Sequence, residues 1–333
     1  MHGEGVNLPL DYAKFLKVTK DNTEEVLSHE ADEGIAGIYV SMVDGIDDDK
    51  GLHDLLCKAN RRVTVHAEDK AALDAKRGQI ELSNVSSHLL WHDERSAVDA
   101  MRRILAIARG AGRSVHVSHV STDKELGMIA AYKEIATAGL SPHHLFLSAP
   151  ECYEHFHEYA QIDPPIRGED IRIGLWKALT SGIVDMVGSY HQPISVQDKD
   201  QVYPGSKSGA PSIQTMLPAL LDQVSSSAIS LQALMDLTSA GPARVYSIAS
   251  KGRIAVGYDA DFAIVDLNKE WTLDDNDVES SCGWDHYAGA TFKGQVTGTM
   301  IRGELAMWHG ALTGGTVGQT LKFTDTFKEY EKE

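Results

Sequence analysis

Short apolar runs recur along the first two-thirds of the chain and alternate with stretches of helical periodicity. Residues 35–40 (IAGIYV), 63–66 (VTVH), 115–119 (VHVSH) and 183–187 (IVDMV) read as strands. Residues 94–105 (ERSAVDAMRRIL) read as a helix. Strand–helix–strand repetition predicts a parallel sheet with crossover helices. Several of the strands end in a histidine, and in a parallel barrel the C-terminal strand ends carry the site. From about Gly252 the pattern changes. Residues 253–257 and 261–266 read as short strands around a Gly-Tyr-Asp-Ala turn, and residues 294–303 alternate with period two. These predict a small antiparallel β unit. The expected organisation is a barrel domain over 1–250, a small β unit over 251–315 and a charged tail over 316–333, frayed or helical from Phe323 on.

Composition narrows the class. With 333 residues, 42% of them hydrophobic, the chain can bury a sizeable core. A net charge of -17 argues against a nucleic-acid surface, because phosphate is repelled by such a field. Cys57, Cys152 and Cys282 are scattered without metal-like pairing, which fits a reducing compartment and no disulfide framework. No apolar run reaches the roughly 18 residues of a membrane span. The start, MHGEGVNLPLDY, has no signal character. The expectation is a cytoplasmic globular protein with no membrane contact.

The most informative stretch is VDMVGSYHQP, residues 184–193. An apolar run stops at a small polar turn, and Tyr190 and His191 stand at the lip, where a barrel enzyme places a catalytic carboxylate. Other motifs follow a fixed order: VHAED (65–69), VSHVST (117–122), SPHHL (141–145), DPPIR (163–167), GAPSIQT (209–215), GPARVY (241–246), IAVGYDAD (254–261) and CGWDHYAG (282–289). Together, over roughly residues 10–310, they resemble the signatures of the dihydroorotases, the cyclic amidohydrolases of pyrimidine synthesis. The resemblance implies a (β/α)8-type, TIM-like barrel with a small β-sandwich built from both chain ends. It also implies one or two zinc ions that turn water into hydroxide, and a carboxylate that moves the proton.

The resemblance assigns the family's ligands residue by residue. Its His-x-His pair would precede Leu10, and His2 alone cannot supply it, so the barrel is expected without its first strands. The bridging lysine falls on Tyr39, in the run Gly37-Ile38-Tyr39-Val40. The two later histidines are His66 and His119. The last aspartate falls on Tyr190, and the second histidine of that turn is Ile194. Two histidines cannot hold a catalytic zinc, which takes three protein ligands. Tyrosine, with a reference pKa of about 10, is a poor base. No cofactor is therefore expected, with zinc at His66 and His119 as the alternative. Tyr39 and Tyr190 are expected to fill the old site and to offer His66 or His119 a hydrogen bond. An alternative register would place Asp44 in the bridging position.

Further candidates are weighed against plain structural roles. Tyr190 and His191 are the catalytic candidates of a remodelled site, although strand-end turns often carry a histidine. Arg167, His143, Ala210 and Pro211 are substrate-pocket candidates, with helix capping or a surface ion pair the other reading of Arg167. Glu68 and Asp69 are expected to bond local backbone and cap the next helix. The run of residues 152–157 (CYEHFH) has metal-capable types, and Asp47 to Asp49 read as a solvated helix start.

The leading expectation is a dihydroorotase-like structural or regulatory subunit without the family's hydrolysis. It would be a homo-oligomer or bind a partner, aspartate carbamoyltransferase being one. The alternatives are an active cyclic amidohydrolase with a rebuilt or partner-completed site, and a metal-free enzyme of different chemistry. Unpaired sheet edges would be closed by association or by residues 1–7.

Overall fold

The computed structural model describes residues 8–324. Six parallel strands run in sequential order: β1 (Lys14–Val18), β2 (Ile35–Ser41), β3 (Arg62–His66), β4 (Val115–Val117), β5 (Ala136–Leu140) and β6 (Met186–Val187). Helices Asp49–Lys58, Glu94–Ala111, Asp123–Ala130 and Glu169–Thr180 lie in the connections. Sequential parallel order with crossover helices is the (β/α)8-type barrel arrangement. Among the described residues the sheet stays open, with β1 and β6 as its edges.

Period two divides each strand between two environments. Ile38, Val40, Val63, Val65, Val115 and Val117 are buried with Leu52, Leu55, Met101 and Ile104 from the helices. Each such side chain contributes ~1.5–3 kcal/mol when fully buried. Helix Glu94–Ala111 shows why the pattern holds. Its N-cap Asp93 accepts a bond from the Ser96 amide, Ala97, Met101, Ile104 and Ala108 make its buried stripe, and Gly112 ends it at φ +64°. The alternate positions are polar. Tyr39, Thr64, His116 and Thr137 stand side by side across β2 to β5. His116 Nδ1 lies 2.9 Å from Thr137 Oγ1, and Thr64 Oγ1 lies 3.3 Å from the Tyr246 hydroxyl.

The C-terminal unit is an antiparallel sheet in the order β10 (Ala311–Leu312), β9 (Glu304–Trp308), β8 (Thr291–Ile301), β7 (Phe262–Thr272). The strand expected over 253–257 does not form, because that segment has no pairing partner, and Ile254 is 79% exposed. The two ends of the chain do meet. The Tyr12 amide donates to Gln319 O at 3.0 Å, and the Leu321 amide donates to Tyr12 O at 2.8 Å. Asp11 pairs with Lys251 and Arg302 beside them. The expected roles of residues 1–7 and of the tail end lie outside the described residues.

Residues 142–146 form a helix: the Ser141 side chain caps it and Pro142 occupies its first turn. β1 and β5 were not legible as strands. β5 reads ATAGL, small residues of low strand propensity, and its smallness matters for the site.

Candidate active site at the strand ends

His66 is the last residue of β3, His119 follows β4, and Tyr190 follows β6. His119 and Tyr190 both adopt left-handed backbone, at φ +35° and +45°. Non-glycine residues rarely stay there, and such strain gathers at functional sites. The His66 and His119 rings stand 5.0 Å apart, and the Tyr190 ring meets His119 edge-on at 4.9 Å. Beside them opens a cavity of about 300 Å³, lined by Tyr39, His119, His143, Asp163, Tyr190, His191 and Ala210 among others.

A chain of charged groups and imidazoles, buried except for Asp163, borders this cavity. His66 Nε2 lies 2.9 Å from Glu68 Oε2, and Glu68 Oε1 lies 3.0 Å from His92 Nδ1. His88 Nε2 lies 2.9 Å from Asp163 Oδ1. Burial opposes ionisation of Glu68, but bonds from His66 and His92 outweigh it and hold its carboxyl well below the usual range. Burial likewise opposes charge on His66 and His92, and Glu68 overrides it, so both rings are raised. On Asp163 burial is again outweighed, chiefly by His88, and its carboxyl sits at about 2. The other wall is neutral: burial pushes His119 and His143 well down and His144 to about 4.

Tyr190 is packed against β5. A Cβ built on Gly139 of β5 would fall 2.1 Å from the Tyr190 hydroxyl and 3.1 Å from His116 Nε2. The phenol therefore reaches down to β5 through space that a side chain at 139 would take. Its hydroxyl has no partner at full hydrogen-bond geometry. Burial, the largest influence, drives its pKa far up, and the nearby His119 backbone amide only partly opposes this. The phenol takes up this space and does not give the expected hydrogen bond to the ring of His66 or His119. His66 is served by Glu68 instead, and His119 Nδ1 is left without a partner. Tyr39 lines the cavity, its phenol pushed to about 12 by burial and then by Asp44 and Glu68.

The remaining candidates divide. His143 and Ala210 line the cavity, whereas Pro211 does not. Arg167 is buried and faces neither cavity nor solvent: its guanidinium donates to His92 O and reaches Ser121 Oγ at 3.3 Å. His191 Nδ1 accepts from the Ser212 amide at 3.0 Å and so holds the 209–213 loop. Asp44 pairs with Lys17 at 2.7 Å with its side chain 60% exposed, which removes it from the bridging position. Asp69 caps helix Lys70–Lys76 as expected, but Glu68 serves the two histidines. Asp48 caps helix Asp49–Lys58. Residues 152–156 lie in helix Glu151–Phe156, where Cys152 and Tyr153 are buried. The signal missed in the sequence was His88-x3-His92, two histidines one helical turn apart.

The described residues do not by themselves supply the family's zinc ligands. His66 and His119 offer two imidazoles, and Tyr190 turns its oxygen toward β5. Among the described residues, no set of three His, Cys, Asp or Glu ligand atoms lying within 4.8 Å of one another includes His66 or His119. That falls short of the three protein ligands a catalytic zinc takes.

Six sequential parallel strands, polar residues gathered at their C-terminal ends and an appended antiparallel sheet define a (β/α)8-type barrel with a small C-terminal β unit. Residues 50–306 match the amidohydrolase family, and the chain belongs to it as a dihydroorotase-like member of that superfamily. The dihydroorotase of Pyrococcus furiosus is 32% identical over 225 residues, 67% of this chain and 52% of that protein. The dihydroorotase of Halobacterium salinarum is 31% identical over 263 residues, 78% of this chain and 60% of that protein. The chain thus spans about half to three-fifths of these relatives. An L-hydantoinase (dihydropyrimidinase) from Arthrobacter aurescens superposes with a TM-score of 0.89 at 24% identity, over 96% of this chain and 75% of that one. An inactive dihydroorotase-like domain of a Chaetomium thermophilum CAD-like multifunctional protein superposes with a TM-score of 0.66 at 17% identity, over 92% of this chain and 77% of that one.

Proposed function

We propose that this chain is a dihydroorotase-like subunit that has given up zinc-dependent ring hydrolysis and acts in a structural or regulatory role. One observation carries the reading. At the position where the resemblance puts the proton-shuttling aspartate, a phenol is buried against β5 with its hydroxyl aimed at Gly139. Such a group stays protonated at neutral pH and cannot accept a proton from an attacking water. Tyr39 at the bridging position supports the same conclusion. Both residues lie well inside the chain, so the reading does not depend on where the sequence begins.

The cavity supports a regulatory role. His119 Nδ1 and both ring nitrogens of His143 are buried without a partner, and a small polar ligand would satisfy them. The inactive Chaetomium domain is a precedent for a dihydroorotase-like fold without activity. Aspartate carbamoyltransferase, or a second copy of this chain, is the partner we propose for the open edges of the barrel sheet. The test is turnover of dihydroorotate and of a hydantoin by the purified chain with zinc supplied. Loss of the general base alone costs ~10²–10⁴-fold, so no turnover above background is expected. Ring opening at a few per second, abolished by His66→Ala and His119→Ala, would overturn the proposal.

A further inference from the structure

The His88–His92–Asp163 cluster is not used by any reading above. His88 opens the short helix His88–Trp91, and His92 follows one turn later, so the two rings lie with centroids 4.5 Å apart and planes tilted by 35°. Asp163 comes from the DPPIR motif and also lines the cavity. Its Oδ1 lies 2.9 Å from His88 Nε2 and 3.9 Å from His92 Nδ1, and the three ligand atoms all fall within 4.8 Å of one another. Ligand atoms around a tetrahedral zinc, at ~2.0–2.2 Å from the metal, stand about 3.3–3.5 Å apart. Side-chain shifts of under about 1 Å would bring the observed triangle to that spacing.

We infer that His88, His92 and Asp163 form a site for a zinc-class divalent ion, set beside the cavity and apart from the position of the family's metal. Two imidazoles and a carboxylate suit zinc and its late first-row neighbours, whereas calcium and magnesium call for oxygen ligands throughout. The surroundings favour a cation. Glu68, fully buried, adds a second carboxylate 3.0 Å from His92 Nδ1. Among the described residues neither Glu68 nor Asp163 hydrogen-bonds an arginine or lysine; their partners are imidazoles. The Arg167 guanidinium is occupied by His92 O and Ser121 Oγ. A metal ion binds deprotonated imidazoles, so its affinity here depends on pH. The inference is independent of the proposed loss of hydrolysis, and either can fail alone.

The test is calorimetric titration of the metal-stripped full chain with Zn²⁺, with Co²⁺ absorption as a second readout. One ion per chain is expected, with a tetrahedral Co²⁺ spectrum. Asp163→Asn and His88→Gln should each weaken binding at least ~10-fold, the lower end of what loss of a supporting partner costs. Thermal melts without metal establish that the variants fold. Should His88→Gln not fold, Asp163→Asn decides, since the Asp163 side chain is 37% exposed and the change is isosteric. Unchanged affinity in Asp163→Asn, loss of the ion on His119→Ala instead, or no 1:1 binding at submillimolar Zn²⁺ would overturn the inference.

Discussion

Placing a methyl group on Gly139 tests the position of Tyr190 directly. Gly139 lies in β5 with φ outside the left-handed region, so alanine suits its backbone. What alanine would meet is the Tyr190 hydroxyl at 2.1 Å, then His116 Nε2 at 3.1 Å and His116 Cε1 at 3.3 Å. No other atom of Tyr190 comes as close as these, so the clash resides in one oxygen. Overpacking of this kind costs ~1–3 kcal/mol. Tyr190→Phe removes that oxygen. Because the hydroxyl is buried with no partner at full hydrogen-bond geometry, the single variant should be neutral or stabilising, recovering part of the ~1–3 kcal/mol penalty of an unsatisfied group. In the double variant most of the alanine cost should vanish, giving a coupling energy of at least ~1 kcal/mol, within the range for contacting residues. Urea unfolding of the four proteins measures it. Additive effects, or a Tyr190→Phe variant destabilised by more than ~1 kcal/mol, would refute the placement of the phenol beneath the mouth.

Acid should destabilise the fold from near neutrality downward. His116 is held at about 3 and His144 and His286 at about 4 by burial, with His119 and His143 also lowered. These rings stay neutral in the fold, while an unfolded chain takes up protons below about 6.5, so each ring costs up to ~1.4 kcal/mol per pH unit as pH falls from there to its folded value. His66 and His92 act in the opposite sense: raised by Glu68, they contribute stability that is full below about 6.5 and fades as pH climbs through their folded values. The neutral rings outnumber the charged pair, so melting temperature should drop between pH 7 and pH 5, and a rise would count against these assignments. Glu68→Gln removes the buried charge that both rings face; breaking such a pair typically costs ~3–5 kcal/mol. Urea denaturation at pH 7 should show it, and a loss under ~1 kcal/mol would mean the rings are not charged.

Much of this was legible in the sequence, and the losses have physical reasons. The strands bearing Val63, Val65, Val115 and Val117 announced themselves through β-branched residues that pack against helices. β5 did not, because Ala136, Ala138 and Gly139 carry little signal, yet Gly139 is what admits the Tyr190 hydroxyl. Order of motifs placed His66, His119, Tyr39 and Tyr190 around one mouth, and the fold brings them there. What each group bonds was hidden, since partners come from distant segments. Glu68 looked like a local cap, but it meets His92, which stands 24 positions away. Arg167 looked like a pocket or surface residue, but its partners Ser121 and His92 lie 46 and 75 positions off. The 253–257 run shows the converse: apolar alternation without a neighbouring strand leaves Ile254 and Val256 in solvent.

The central claim is that the barrel mouth no longer assembles the family's metal centre. Crystals of the chain soaked in zinc, with anomalous data collected at the zinc edge, test it most directly. The account predicts no anomalous peak between His66 and His119; a peak confined to His88, His92 and Asp163, or none, agrees with it. A peak within ~2.0–2.2 Å of a ring nitrogen of both His66 and His119, with Tyr39 or Tyr190 oxygen completing the shell, would contradict it.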